Sequence, residues 1–474
     1  MPNKKKKNFP ASVEKSIKSV AKTISKTLIP KKKKLKKLTI GFEIEFFILD
    51  KNGHIVNEAD LLLKKIDKKD RDPGSEITYE VGKNMIEVGS YPHENSVDTL
   101  LGLIKNIKSL LYTAEEENLI ICPLGAYPGK QNPKMRTKSR YKSKEKIFGK
   151  TRFKNAGRAC GFHMHFELPW GVFDSQKLEL KHLVNSKNKE ALVNAYNFLI
   201  ATDPALTTFM QSSPFVQGKY LGKDGRMLIY RGSPELKNPD SLYANYPDFG
   251  GLPSYKHTGT NIIDLGQKKF KDWLKILKDA GIKNGAMPKY KSSLETNWTP
   301  VKVNPHGTLE QRGMDSNNLL IILAISVILK RILGAIQDEH YKVETSDLAI
   351  KEPFKLENKT ILIPPDIYVK TELQTAAAYQ GLENETLCYY CKRLLWLAKL
   401  IDKKADNSIF ANLEKMIESK KTVSDEIIAR AKKLGHKNLE KELPPEIGAQ
   451  IAVEHSKKLF EEIVIAEKYA KKNT

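Results

Sequence analysis

The chain has 474 residues, 40% of them hydrophobic and 8% aromatic, which is enough to bury a sizeable core in one large domain with an extension or two. Lys and Arg number 80 against 56 Asp and Glu, a formal +24, yet fourteen of the lysines and only one acid, Glu14, fall in residues 1–38. More than half of the excess charge therefore belongs to a tail, and the composition excludes a collagen-like, disulfide-rich or wholly disordered chain. The four cysteines (Cys122, Cys160, Cys388, Cys391) are too widely and irregularly spaced for a disulfide framework. Together with the lack of a signal-peptide core, this makes a cytoplasmic location the expectation.

In the tail, Val13, Ile17, Val20, Ile24 and Leu28 recur at helical spacing between two lysine runs. A solvated, mostly disordered extension and an amphipathic helix for an anionic membrane or nucleic acid both fit residues 1–37. From Leu38 the texture changes. LTIGFEIEFFILD alternates with period two and ends at a Lys51-Asn52-Gly53 turn, so it is expected to be a strand. EITYEVGKNMIEVGSYP reads as a hairpin, and Ser96–Glu117 as an amphipathic helix with Asn95 or Ser96 as its cap. Strand LIICPLGAY, a long basic loop over 128–156, strand GFHMHFEL and helices at 188–212 follow. An irregular stretch over 213–260 then leads to the paired strands TNWTPVKVN and GTLEQRGMD. Beyond Ser316 the pattern is nearly all helical. Its apolar run Leu319–Leu329 is about half the ~20 residues of a bilayer span, and is expected to be buried. Without regular βαβ alternation or a Gly-rich phosphate fingerprint, the expected class is α+β. A mainly antiparallel sheet carries helices on one face, and a helical C-terminal region follows. The expected division is a tail (1–37), a catalytic domain (38–330) and a helical region (331–474) packed on it.

The strands carry an unusual cargo. In GFEIEF, Glu43 and Glu45 share one face while Phe42, Ile44 and Phe46 share the other. Glu87 sits between Ile86 and Val88, with Glu80 seven residues earlier in the hairpin. His163, His165 and Glu167 alternate with Phe162, Met164, Phe166 and Leu168, and Glu310 and Arg312 lie opposite Leu309. One such strand reads as a solvated sheet face. Four of them, side by side, would make one patch of carboxylate, imidazole and guanidinium. Clustered carboxylates repel, and burial disfavours their charge, so divalent cations are expected there. A donor set dominated by Glu, with two His and no Cys, favours Mg²⁺ or Mn²⁺ over Zn²⁺. Carboxylate-held metals beside an Arg suit phosphoryl transfer. Cys388-Tyr-Tyr-Cys391 reads as a buried thiol pair on a helix. The basic segment 130–154 reads as a solvated lid or a phosphate contact.

Taken in order, these segments resemble the carboxylate–amine ligase family that contains the glutamate–cysteine ligases. GFEIEF is similar to that family's opening Gly-x-Glu-Glu-Glu-Phe strand, with Ile44 on the far face in place of the middle Glu. NMIEVGSYP resembles its next acidic strand, and GAYPGKQNPKMRTKSRYKSKEKIFG its Gly-Thr-His-Pro to Arg-Tyr to Tyr-Gly segment. CGFHMHFEL resembles Cys-Gly-Leu-His-Val-His. SSPFVQGKYLGKDGRMLIYRGS with FGGLP resembles the Asn-Ser-Pro-Phe to Gly-Leu-Pro stretch, and GTLEQRGMD resembles Gly-Thr-Leu-Glu-x-Arg-x-x-Asp. The likeness runs over residues 41–315.

The resemblance implies a glutamine-synthetase-like catalytic fold whose curved sheet binds ATP, two or three Mg²⁺ and an amino acid. It implies that ATP phosphorylates the substrate γ-carboxylate and that an amine captures the acyl phosphate. It makes Glu43, Glu45, Glu87 and Glu310 metal ligands, with Glu80 as a further one, and Glu310, Arg312 and Glu87 the catalytic set. His163 and His165 are expected at the nucleotide, and Arg312 at the transferred phosphoryl group. Arg231 is expected to hold a substrate carboxylate, with Arg226 a competitor for that place. Asp315 and Arg140 read as structural or lid residues. The expected product is a γ-glutamyl amide, first of all γ-glutamylcysteine on the way to glutathione. Three other readings stay open: another amine acceptor, a kinase using the same phosphoryl chemistry, and a ligase-like protein that binds RNA or anionic lipid through its tail. A homo-oligomer is compatible with all of them.

Overall fold

The computed structural model describes residues 38–473, apart from 67–70, 183–185, 284–286 and 404. The expected tail helix lies outside the described residues. From Leu38 onward the chain is one compact unit. Its centre is a seven-stranded antiparallel sheet built from β1 (Ile40–Asp50), β2 (Ile77–Tyr79), β3 (Met85–Gly89), β4 (Leu119–Cys122), β5 (Gly161–Glu167), β6 (Val301–Asn304) and β7 (Thr308–Asp315). The spatial order is β6-β7-β5-β1-β3-β2, with β4 also pairing with β1. β1 is the keystone: residues 43–47 pair with β3 on one edge, while 40–44 and 47–50 pair with β5 and β4.

Alternation along β1 decides the layering. Phe42, Ile44, Phe46 and Ile48 are buried with Phe162, Met164 and Phe166 of β5 in the main core. That face is covered by helix α1 (Ser96–Glu116) and by helix α4 (Leu319–Asp338), whose Ile322, Ile325, Leu329 and Leu333 are fully enclosed. Asn95 caps α1, its side chain accepting from Val97 N at 2.8 Å, and Asn318 caps α4 in the same way toward Leu320 N. Among the described residues one helix, α4, is long and apolar enough to cross a membrane, and 72% of its apolar window is buried inside the protein. The odd-numbered face of β1 is divided. Glu43 and Glu45 open onto the site described below, whereas Phe47 and Leu49 pack beneath Ile427, Ile428, Ile451 and Ala452 of the C-terminal helices. The last of these helices is α5 (Pro445–Asn473).

Three expectations need correction. The basic stretch 128–156 is not a loop throughout, because Ser139–Phe148 forms helix α2, which buries Tyr141, Ser143 and Phe148. The region beyond Ser316 also contains a small sheet of β8 (Lys342–Thr345), β9 (Leu356–Glu357) and β10 (Thr360–Ile363), where β8 runs parallel to β10. Asn358 and Lys359, both at positive φ, make the β9–β10 turn. Finally, a boundary between residues 330 and 331 would cut α4 in two, so the helical region is continuous with the catalytic part. One further helix, α3 (Lys187–Phe209), packs on α4.

Candidate active site

Strand register brings the acids and imidazoles together. Glu45 lies opposite Glu87, Glu43 opposite His163, and Glu310 opposite His165. Lys302 on β6 lies opposite Glu310, which extends the row by one strand. A β-bulge in β7 after Gln311 leaves Arg312 beside Glu310, with Arg312 Nε 3.5 Å from Glu310 Oε1. Glu80 enters from the turn that follows β2. Single donor atoms of Glu43, Glu87 and His163 lie within 4.8 Å of one another, as do those of Glu43, His165 and Glu310, and those of Glu45, Glu80 and Glu87.

The chemistry of this donor set fits divalent cations. Nδ1 of His163 meets Glu43 Oε2 at 3.3 Å, and Nδ1 of His165 meets Thr308 Oγ1 at 2.9 Å. Both Nε2 atoms are buried without an aligned hydrogen bond, although His165 Nε2 is 3.2 Å from Glu43 Oε2. An imidazole with one nitrogen oriented by a partner and the other turned toward a carboxylate of the same cluster is arranged as metal ligands are. Glu45 is 8% exposed and accepts from Gly161 N at 2.6 Å. A Cβ at residue 161 would fall 2.3 Å from Arg226 Nη2, so any larger residue there would displace that guanidinium.

Two electrostatic poles result. At the acidic pole, burial and repulsion from Glu80 push Glu45 up to about 8, against the pull of Arg226. Burial raises Glu80, and burial with repulsion from Glu43, Glu80 and Glu45 raises Glu87 well above the usual carboxylate range. Burial also pushes on Glu43, but His165 and His163 outweigh it and hold that carboxyl well below its ordinary value. Burial lowers His163 to about 4, while Glu43 and Glu310 overcome burial at His165 and raise it. The other pole is cationic. Lys302 Nζ lies 3.2 Å from Glu310 Oε2, Arg312 approaches the second oxygen, and Asn304 Nδ2 donates to Oε2 at 2.5 Å. Against the effect of burial, Lys302 and Arg312 keep Glu310 firmly ionised. Protons held at the acidic pole mark where cations would enter, and the guanidinium and ammonium mark where an anion would sit.

The fold therefore brings Glu43, Glu45, Glu80, Glu87, His163, His165, Glu310 and Arg312 to one patch. Arg231 is the exception. It is 2% exposed, and its terminal nitrogens donate to Asp203 Oδ2 at 2.6 Å, Asp203 Oδ1 at 3.0 Å, Gln374 Oε1 at 2.9 Å and Gly313 O at 3.4 Å. This guanidinium is a strut between α3 and β7, and the expectation that it holds a substrate carboxylate is corrected. Arg226 stays near the site, donating to Arg312 O at 3.2 Å, with its Nε bare. Asp315 accepts from Ser212 N at 2.9 Å. Lys302 and Asn304 were not legible as site residues. The signal for them was the VKVN alternation directly opposite Glu310 in a hairpin.

This arrangement, an antiparallel sheet bearing a carboxylate–imidazole cradle and backed by helices, is the glutamine-synthetase-like ligase fold. Two solved structures share it: a bifunctional glutathione synthetase from Pasteurella multocida and a glutamate–cysteine ligase from Francisella tularensis in complex with AMP. The first is 15% identical with a TM-score of 0.56 and covers 90% of this chain and 53% of its own. The second is 15% identical with a TM-score of 0.52 and covers 93% of this chain and 99% of its own. The sequence profile of glutamate-cysteine ligase family 2 (GCS2) matches residues 39–363, and the chain belongs to that family. A provisionally named glutamate–cysteine ligase 2 of Chromobacterium violaceum is 28% identical over 185 residues, 38% of this chain and 43% of the relative. A similarly named protein of Legionella pneumophila is 29% identical over 143 residues, 29% of this chain and 36% of the relative. The matched span is thus less than half the length of either relative.

Proposed function

We propose that this protein is an ATP-dependent ligase that activates the γ-carboxylate of glutamate and joins it to an amine, with cysteine as the first candidate acceptor. The observation that carries the reading is the division of one sheet face into an acidic and a cationic pole, aligned by strand register. A free carboxylate resists amines because oxide is not a leaving group; transfer of the terminal phosphoryl group of ATP to that oxygen provides one. The oxygen of the glutamate carboxylate attacks phosphorus, ADP departs, and the amine nitrogen then displaces phosphate from the acyl phosphate.

In this reading Glu43, Glu45, Glu80, Glu87 and the Nε2 atoms of His163 and His165 would hold Mg²⁺ or Mn²⁺, and Glu310 borders the same set. When bound, the cations supply neutralisation of the nucleotide's charge. Arg312 and Lys302, already positioned by Glu310, meet charge that develops on the transferred phosphoryl group. The His165 and His163 rings keep Glu43 anionic and ready to ligate. The AMP held by the Francisella tularensis neighbour supports a nucleotide at this face. The family, the buried thiols and the acid cradle together support a role in glutathione-type chemistry in a reducing compartment.

The test supplies ATP, Mg²⁺ and glutamate with each of the twenty amino acids and common polyamines in turn, followed by mass analysis of the products. A γ-glutamyl amide, with phosphate and ADP released only when both glutamate and an amine are present, is the expected result. ADP formation that needs no amine would make the protein a kinase. No nucleotide turnover under any condition would remove the enzymatic reading.

A further inference from the structure

Helix α2 carries one more lysine close enough to feel the charges of Arg312 and Lys302. The Lys144 ammonium rests 3.9 Å from the centre of the Trp298 ring, and Trp298 lies three residues before β6. Trp298 is itself fixed from behind: it stacks on Tyr243 with ring centroids 6.1 Å apart and meets Trp273 edge-on at 4.9 Å. The indole face is thus a rigid platform. Burial, with repulsion from Arg140 on its own helix, Arg312 on β7 and Lys302 on β6, holds Lys144 well below the ordinary lysine range, against the attraction of Glu80.

The partners already taken show what is missing. Lys302 and Arg312 are both committed to Glu310. Arg140 lies over Tyr141, with Nη2 3.3 Å from the phenol oxygen. Among the described residues Lys144 has neither a hydrogen-bond nor an ion-pair partner. The one contact that holds this side chain among the described residues is the Trp298 ring, against repulsion from three cations. A polyanion bound beside Arg312 and Lys302 would relieve that repulsion and give Lys144 the acceptor it lacks.

We infer that Lys144 is a further substrate-contacting residue, which leaves the Trp298 face to grip the terminal phosphate of the nucleotide from the side opposite Arg312. This rests on the nucleotide reading above and extends it, since it assigns a phosphate contact to α2, outside the sheet. Lys144 then discriminates ATP from ADP, because only the terminal phosphate reaches the cationic pole.

Direct binding of Mg·ATP and of Mg·ADP by isothermal titration, on the full chain and on Lys144→Met and Lys144→Arg, tests the assignment without turnover. Lys144→Met should weaken ATP about tenfold or more while changing ADP by less than about threefold, and Lys144→Arg should regain most of the ATP affinity. Tryptophan emission should change on ATP addition to the unaltered protein, and this response should be lost in Lys144→Met and in Trp298→Phe. Equal losses for ATP and ADP, or no loss for either, with an unchanged melting temperature, would overturn the role of Lys144. An unaltered protein that binds neither nucleotide would overturn the nucleotide reading itself.

Discussion

Glu87 has three acids for neighbours: Glu45 across the strand pair, Glu43 beside it and Glu80 in the adjoining turn. With no cation bound, its charge is opposed both by burial and by those three carboxylates. Glu87→Gln should therefore raise the melting temperature in chelator above pH 7 and lose most of the stabilisation that Mg²⁺ or Mn²⁺ gives the unaltered protein. Thermal melts with and without each cation check both halves. An undiminished cation response would remove Glu87 from the ligand set. Arg231 gives the opposite case. Removing its guanidinium leaves Asp203, fully buried, with Gln311 Nε2 at 3.0 Å as its remaining side-chain donor. Arg231→Met should cost about 3–5 kcal/mol in urea unfolding, and a cost below about 1 kcal/mol would show that the pair is not what joins α3 to β7. Gly313 belongs to the same device, since a Cβ there would fall 2.5 Å from both Arg231 Nη2 and Asp203 Oδ1.

Among the elements, α5 caps the start of α4 with one of its carboxyls. Glu462 accepts from Asn318 Nδ2 at 2.5 Å and from Leu319 N at 3.1 Å, and burial raises it to about 7. The fold therefore binds this proton more tightly than the unfolded chain does between the ordinary carboxyl value and about 7. Stability from this group is complete below that ordinary value and is lost as pH rises through about 7, so its contribution to unfolding free energy slopes downward across that window. Glu462→Gln should flatten the slope, as read from urea midpoints at pH 5, 6, 7 and 8. An identical pH dependence would place the titrating group elsewhere. β1 shows how an element can serve two layers at once. Its alternation was readable, and so was the polar character of Glu43 and Glu45. That Phe47 and Leu49 on the same face are roofed by the C-terminal helices was not, because the covering residues are some 400 positions away in sequence.

At the scale of the whole molecule, every residue of the proposed site falls between Glu43 and Glu310 or Arg312, inside the span that matches the family profile. Deleting residues 1–37 should leave nucleotide affinity and turnover within about twofold of the full chain, measured side by side at equal ionic strength. A collapse of either would tie the tail to the site, and a loss confined to RNA or anionic vesicles would give the basic lysine runs their own partner. Residues 364–473 are also part of the fold, since they seal one end of the sheet and continue the packing around α4.

From the residues alone it was possible to see which side chains share a face, because period two along a strand puts Glu43 with Glu45, His163 with His165 and Glu310 with Arg312 wherever the strand is placed. The order of those segments also carried the family. Tertiary structure alone decided which faces meet. Register set Glu45 against Glu87 and Lys302 against Glu310, and chain packing turned Arg231 inward to Asp203, although the family resemblance implies a substrate contact there. It also folded a stretch of basic residues into helix α2 and laid Lys144 on Trp298. The physical reason is common to all of these: local pattern fixes the direction of a side chain, but the charge it meets is set by neighbours tens to hundreds of residues away.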